Sequence, residues 1–423
     1  MKVKSNKLVE NFFSLASVQI MNYILPLITL PFLTRTLGVE TYGLISFSQA
    51  IIQYFILITE FGFNLTGARD VSQSRGNRIK QSEILWSIMI LKSILLIACF
   101  GILMVLVNIL PKLQGYTNLY LYTFGMVLGN VLFPSFYFQG IEEMKFTAIL
   151  NFVSKLVFTI GIFILVKTPN DYLLVPILNT LGSILSGILS LTIIIISKKA
   201  TIIIPKRQLL VKQLKEAFPL FLSNVFTSFY TTSSVVILGF FAGNVSVGYY
   251  SAADKIIKAV TNITSPLVQA VYPNVSLLLK QNKNNAVLFV RKITKYSTII
   301  VGMICFLLCV ASPFAFPYFF GNSYNRSISL IMIMSFIPLI ILWAKIFGTL
   351  VLVNMGWQNK LSKVYFLTGI LSLISTFILV PLFNEIGTAV NTVFIESVAS
   401  LLIIRCVYKN EETRYFLGGN VGK

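Results

Sequence analysis

Six polar side chains recur at helical spacing within one apolar stretch of the sequence, residues 247–271. They lie four, three, four, three and four residues apart, so an α-helix would place all of them on one face. They are Ser251, Lys255, Lys258, Asn262, Ser265 and Gln269. Ammonium, amide and hydroxyl groups are the donors that hold a phosphate or another anion. This face predicts a polar cavity wall suited to an anionic ligand.

The two lysines of this face lie deep in the predicted helix. At a rise of about 1.5 Å per residue, Lys258 is about 16 Å from one end, close to the middle of a bilayer. Asp254 precedes Lys258 by one turn, and we expect the two to form an ion pair. One aspartate cannot compensate two lysines, which favours a cavity-lining role. The alternative is that these groups only hydrogen-bond to neighbouring helices.

Further polar residues in apolar stretches extend the predicted site. We expect the ligand cavity to be lined by Lys258, Lys255, Asn262, Gln269, Arg35, Gln53, Lys92 and Lys345. Glu60 and Glu396 are lone acids at membrane depth and candidates for binding a cation or proton, and Asp254 is a further candidate. Hydrogen bonding between helices, with the carboxyl protonated, is the alternative for Glu60 and Glu396.

The composition places these charges in a membrane protein. Of 423 residues, 56% are hydrophobic and 11% are charged, whereas a soluble domain has roughly 25% charged residues. Continuous apolar runs favour helices that cross a hydrocarbon core of about 30 Å over the alternating strands of a barrel. We predict an all-α fold with about twelve transmembrane helices. The predicted spans are 11–33, 42–63, 84–110, 118–139, 147–167, 173–196, 217–241, 247–271, 296–317, 328–353, 362–383 and 386–408.

The distribution of basic residues predicts the orientation in the membrane. The net charge is +20, from 34 Lys and Arg against 14 Asp and Glu. Most basic residues fall in alternate connections, whereas the other connections hold only Arg35, Lys112, Lys167 and Arg326. This alternation follows the positive-inside rule and predicts that both termini are cytoplasmic. The net positive charge is therefore explained by the orientation of the protein in the membrane, and nucleic acid is not an expected partner.

The cysteines do not predict a metal site. All four lie in apolar stretches, and the chain has no histidine. Cys305 and Cys309 would share a helix face, but packing is the better interpretation. We predict no metal and no cofactor.

An internal repeat divides the chain into two lobes. Residues 38–46 and 243–251 both read G-x4-G-x2-S, and both join the first to the second helix of their half. A basic polar stretch, 197–216, lies between the halves. We predict six-helix lobes at residues 1–208 and 209–423, related by a parallel pseudo-twofold repeat. A generic tight turn used twice is the alternative.

Several segments resemble the Wzx-type polysaccharide repeat-unit flippases. They are LPLITLPFLTRTLG at 25–38 with YG at 42–43, GFN at 62–64, ARDVS at 68–72, YFQGIE at 137–142 and GYYSAADKI at 248–256. They occur in both halves, and so the resemblance covers nearly the whole chain.

The resemblance implies the fold of the multidrug/oligosaccharidyl-lipid/polysaccharide exporters, a V of two six-helix bundles. It also implies a bacterial inner-membrane protein that moves an undecaprenyl-pyrophosphate-linked oligosaccharide, of O-antigen or capsule, to the periplasmic leaflet by alternating access. The implied partners are membrane lipids, and other polysaccharide assembly proteins are a further candidate. Family members have a cationic lumen, which Lys255 and Lys258 fit. The sequence departs from the pattern in having few buried acids.

Two other functions remain open on the residues alone. A cation-coupled multidrug exporter of the same fold would be expected to use buried acids, whereas lysines predominate here. A polysaccharide polymerase or lipid-linked glycosyltransferase would be expected to carry a large outer loop with paired acids or histidines. The connections here are short, and so we predict a transporter rather than an enzyme.

Overall fold

The computed structural model describes residues 2–197 and 199–417, with side chains for 25–197, 199–229, 232–321 and 323–417. Within these residues all regular elements are helices. The α-helices are α1 Lys2–Glu60, α2 Phe63–Gln73, α3 Arg78–Ile109, α4 Thr117–Leu132, α5 Ser135–Gly140, α6 Met144–Leu165, α7 Leu174–Ile196, α8 Arg207–Thr231, α9 Ser233–Gln281, α10 Lys283–Phe320, α11 Asn325–Met334, α12 Ile337–Lys345 and α13 Gln358–Lys409. A π-helical segment, Ile346–Val353, continues α12, and short 3₁₀ turns occupy Pro169–Leu173, Asn322–Tyr324 and Arg414–Phe416.

The described helices supply the predicted number of membrane spans. Nine helical stretches are long and apolar enough to cross a membrane. Three of them, α1, α9 and α13, are interrupted by the non-helical residues Gly38, Gly243 and Asn384. Each of the three therefore holds two segments. The nine stretches therefore comprise twelve segments, in agreement with the prediction for the described chain. In this count α8 and the short first segment of α9 form one segment.

The internal repeat is visible as the same backbone turn in both halves. Gly38 has φ 74° and ψ 175°, and Gly243 has φ 84° and ψ 178°. This combination is sterically open to glycine and nearly closed to other residues. Each glycine opens one copy of the G-x4-G-x2-S motif. The predicted equivalence of the two hairpins is confirmed.

The outward faces of the helices are apolar. Ile97 on α3 is 74% exposed, and Phe314 on α10 is 73% exposed. In water such surfaces would drive aggregation, whereas lipid tails solvate them. The chain is a multi-pass membrane protein.

Packing divides the chain into two compact units, Met1–Ser228 and Phe229–Lys423. In the first unit α7 packs against both α4 and α6. In the second unit α9 packs against α11, α12 and α13.

The helix α8 packs with the first unit as far as Ser228. Its Ala217 is fully buried in a core with residues of α2, α3 and α5. Nearby, Glu216 pairs with Arg69, and the Gln213 amide donates to Asp70 Oδ2 at 2.9 Å. The lobe boundary at residue 208 stays a prediction, and these contacts place the start of α8 on the side of the first unit.

Candidate functional site

The predicted polar face lies on the second segment of α9, in the second unit. Lys258 Nζ is 2.6 Å from Asp254 Oδ2, which confirms the predicted ion pair. The Lys258 side chain is 53% exposed within the unit, whereas that of Asp254 is 13% exposed. The pair therefore presents its ammonium outward and keeps its carboxylate against the helix bundle. An ammonium so placed at membrane depth requires water or an anionic ligand beside it.

The rest of the face follows the expected helix geometry. Lys255 and Asn262 are half-buried, and Gln269 is exposed. Ser251 is buried, and its hydroxyl has no hydrogen-bond partner among the described groups.

Lys345, at the end of α12, meets this face from another helix. Its ammonium donates to Ser265 Oγ at 2.8 Å and to Thr264 Oγ1 at 3.2 Å. Glu396 on α13 lies close enough to interact electrostatically with Lys345. The structure thus brings two predicted residues from α12 and α13 to the helix that carries Lys258.

A second polar cluster lies in the first unit. The amide of Asn130, on α4, donates from Nδ2 to Glu60 Oε1 at 3.2 Å. Lys92, on α3, is 1% exposed and interacts electrostatically with Glu60. Its Nζ lies 6.0 Å from the ring centroid of Phe136, within range of a cation–π interaction. A charge enclosed at this depth depends on an opposite charge nearby, and Glu60 is an acid that interacts with Lys92.

The two clusters occupy equivalent places in the repeat. Glu60 follows Gly38 by 22 residues, and Ser265 follows Gly243 by 22 residues. Glu60 bonds to Asn130 on α4, and Ser265 bonds to Lys345 on α12. Equivalent positions of the repeat therefore carry an acid bonded to an asparagine in one unit and a serine bonded to a lysine in the other.

A cavity of about 180 Å³ adjoins the first cluster. It lies between α1, α4, α6 and α7, all within the first unit. Its lining residues are Ile56, Met126, Gly129, Asn130, Phe133, Asn151, Ser154, Lys155, Asn179, Ser183 and Ser186. The predicted site did not include this cavity, although Asn179, Ser183 and Ser186 lie four and three residues apart and so share one face of α7.

Two predicted residues lie apart from these clusters. Arg35 and Gln53, both on α1, are exposed within the first unit. The contacts described here do not join them to Lys92 or Glu60.

Sequence reasoning also missed a buried acid, Glu385, which is 4% exposed. Ser246 Oγ donates to its Oε2 at 2.7 Å, and Arg326 Nη1 is 3.3 Å from its Oε1. Glu385 follows the turn at Asn384 and Ser246 follows the turn at Gly243, so the carboxylate ties two hairpins together. In the sequence Glu385 falls in a predicted loop, because Asn384 and Glu385 separate two apolar runs.

The described residues offer little to a metal. Among them no group of three or more His, Cys, Asp and Glu side chains is placed to hold an ion. All four cysteines are free thiols.

Known proteins are similar to this chain over most of its length. Residues 8–279 match the family described as polysaccharide biosynthesis protein. A relative from Escherichia coli (strain K12), named for O-antigen transport, is 29% identical over 95% of this chain and 97% of its own length. A relative of the same name from Shigella dysenteriae is 30% identical over 94% of this chain and 99% of its own length.

Two solved structures share the fold. The lipid II flippase MurJ, in an inward closed conformation, covers 97% of this chain and 89% of its own, with 16% identity and a TM-score of 0.74. An inward-facing MATE-family multidrug transporter of the MOP superfamily covers 92% and 96%, with 13% identity and a TM-score of 0.66. The predicted all-α polytopic fold is confirmed. The names of the curated relatives also confirm a transport protein rather than an enzyme.

Proposed function

Because the chain belongs to the polysaccharide biosynthesis protein family, we propose that it is a flippase for lipid-linked oligosaccharides. Its cargo is an undecaprenyl-pyrophosphate-linked repeat unit of O-antigen or capsule, which it moves across the bacterial inner membrane by alternating access. Both termini are then cytoplasmic, and other polysaccharide assembly proteins are its partners. The observation that carries the proposal is the outward ammonium of Lys258, paired with Asp254 at 2.6 Å.

The chemistry of the cargo explains the need for such a group. The lipid tail can stay in the bilayer, but the pyrophosphate and sugars cannot leave water without replacement of their hydration. Lysines act there as point charges for phosphate, and amides and hydroxyls serve the sugars. In the second unit we assign the head group to Lys258, Lys255, Asn262 and Gln269, with Lys345 as a further contact. In the first unit, Arg35 and Gln53 stay predicted cavity-lining residues. Lys92 is enclosed, and we assign it to the charge balance of Glu60.

The acids are the proposed link to an ion gradient. Glu60 and Glu396 each lie near a buried or half-buried lysine, Lys92 and Lys345 respectively. Protonation of either carboxylate would remove the compensation of its lysine and so change the balance of charge within its unit. Asp254 is the third candidate, through its pair with Lys258.

A flipping assay tests the proposal. The full chain is reconstituted in liposomes that carry an undecaprenyl-pyrophosphate-linked oligosaccharide labelled on the inner leaflet, with and without an imposed pH gradient. We expect the sugar to become accessible to an impermeant glycosidase outside. Glu60→Gln and Glu396→Gln are the matched variants, and at least one of them should abolish the response to the gradient.

The rival function gives the opposite result. A cation-coupled multidrug exporter of this fold would move a cationic dye such as ethidium and leave the oligosaccharide in place. Dye transport without oligosaccharide movement would overturn the flippase proposal.

A further inference from the structure

The cavity in the first unit is lined by polar groups that the proposed head-group site does not use. The helix α6 contributes Asn151, Ser154 and Lys155, and α7 contributes Asn179, Ser183 and Ser186. No carboxylate is among the lining residues. Polar side chains at membrane depth are expensive unless they pair with one another or face water or a ligand.

The hydrogen bonds of three lining residues stay within their own helices. Asn151 Nδ2 donates to Thr147 O at 2.9 Å, Ser183 Oγ to Asn179 O at 2.8 Å, and Ser186 Oγ to Ser183 O at 3.0 Å. These three bonds do not join one helix to another. The remaining capacity of the Asn151 amide and of the two hydroxyls is left for the cavity.

Close contacts between the backbones of the surrounding helices keep the cavity open. A Cβ added at Gly129 would lie 2.5 Å from Ser183 Cβ, and one at Gly182 would lie 2.7 Å from the Ser154 carbonyl oxygen. Helices in contact at small residues cannot move closer together. The cavity is thus a preformed feature of the α4, α6 and α7 packing.

The size and walls of the cavity define the ligand. Its volume is below the usual size of a drug pocket, which favours a ligand as small as a single sugar ring. Phe133, Met126 and Ile56 add apolar groups to the amides and hydroxyls of the lining. A pyranose likewise combines an apolar face with a polar edge of hydroxyl groups.

We propose that this cavity binds one sugar ring of the transported head group, with Asn151 and Asn179 bonding to its hydroxyls. The inference rests on the proposed function and gives the first unit a task of its own, selectivity for the sugar of the oligosaccharide.

Binding to two lipids tests the inference. The full chain in lipid nanodiscs is titrated with undecaprenyl-pyrophosphate-linked oligosaccharide and with sugar-free undecaprenyl pyrophosphate. We expect the wild type to prefer the sugar-bearing lipid by about tenfold, the effect of one or two hydrogen bonds. Asn151→Leu and Asn179→Leu, which keep the branched heavy-atom skeleton of asparagine without its polar atoms, should each lose that preference and keep their affinity for the sugar-free lipid.

The matched control is Asn108→Leu. Asn108, on α3, makes the same bond as Asn151, from Nδ2 to the carbonyl four residues earlier, at 2.8 Å, but does not line the cavity. It should retain the wild-type preference. If both cavity variants retain the preference for the sugar-bearing lipid, the cavity holds only water. If a variant loses affinity equally for both lipids, the residue has a structural role. Either result overturns the inference. A wild type that binds neither lipid would instead overturn the proposed function.

Discussion

At the scale of single residues, the arrangement of Lys258 and Asp254 distinguishes ligand binding from helix packing. A lysine that serves only as packing glue is enclosed and donates its hydrogen bonds to neighbouring helices. Lys258 pairs only along its own helix in the contacts described, and more than half of its side chain is exposed. An exposed pair with this spacing contributes less than about 1 kcal/mol to stability. Because this pair adds little stability, the presence of an exposed lysine at membrane depth indicates a role in binding a ligand.

Substitutions at Lys258 should separate charge from packing. Lys258→Arg is expected to retain most oligosaccharide export, because a positive charge in a wet site suffices, whereas Lys258→Ala and Lys258→Glu should lose at least about tenfold in export rate. Protein abundance should be unchanged in all three. Complementation of surface polysaccharide, measured beside the protein level in the membrane, checks this.

Lys280→Gln, an exposed lysine at the end of the same helix, is the control and should export normally. Normal export by Lys258→Gln at normal abundance, with the same result for Lys255→Gln, would contradict an anion site on α9.

At the scale of elements, the two hairpin glycines determine how each unit begins. Gly38 and Gly243 turn the chain between two helices with nearly the same dihedral angles. A Cβ at Gly38 would meet nothing within 4 Å, so the requirement for glycine comes from the backbone and not from crowding. The repeat in the sequence is therefore a repeat of a backbone conformation.

Gly38→Ala should cost about 1–3 kcal/mol of unfolding free energy, the usual strain of a side chain in this region. The melting temperature of the purified chain in detergent would report the loss. Gly101→Ala is the matched control: Gly101 lies inside α3 with the same open space around it but with ordinary helical geometry, and alanine there should be neutral or stabilising. Equal melting temperatures for the two variants would contradict the strain at Gly38.

At the scale of the whole molecule, the distribution of basic residues predicts one orientation across the membrane. Four exposed residues in the connections report it: Gln73 and Asn284 on the predicted cytoplasmic side, and Gln114 and Ser323 on the other. Twelve segments are an even number, so both termini share a side.

Single cysteines at these four positions, in a chain whose four native cysteines have been replaced, test that orientation. An impermeant maleimide added to spheroplasts, with the outer membrane removed, should label Gln114→Cys and Ser323→Cys. It should label Gln73→Cys and Asn284→Cys only after the membrane is opened. The reverse pattern would invert the topology and place the predicted cytoplasmic termini outside.

Local features of this protein could be predicted from its sequence. The membrane spans follow from continuous apolar runs, and the shared face of Lys255, Lys258 and Asn262 follows from the helical period. The Asp254–Lys258 pair was predictable for the same reason, since residues four apart on a helix are neighbours. The hairpins at Gly38 and Gly243 were predictable because their backbone conformation requires glycine, so that the same residue recurs at both turns.

Only the tertiary structure decided which helices bring their polar groups together. Lys345 lies 80 residues from Ser265 in sequence, Asn130 lies 70 from Glu60, and the cavity collects side chains from four helices. The enclosure of Lys92 and the packing of α8 with the first unit likewise have no local signal. The physical reason is the solvent: lipid is as apolar as a helix interface, so hydropathy reveals that a helix spans the membrane and not which face meets its neighbour. In this protein that choice depends on small residues such as Gly129 and Gly182, whose partners become known only when the helices are packed.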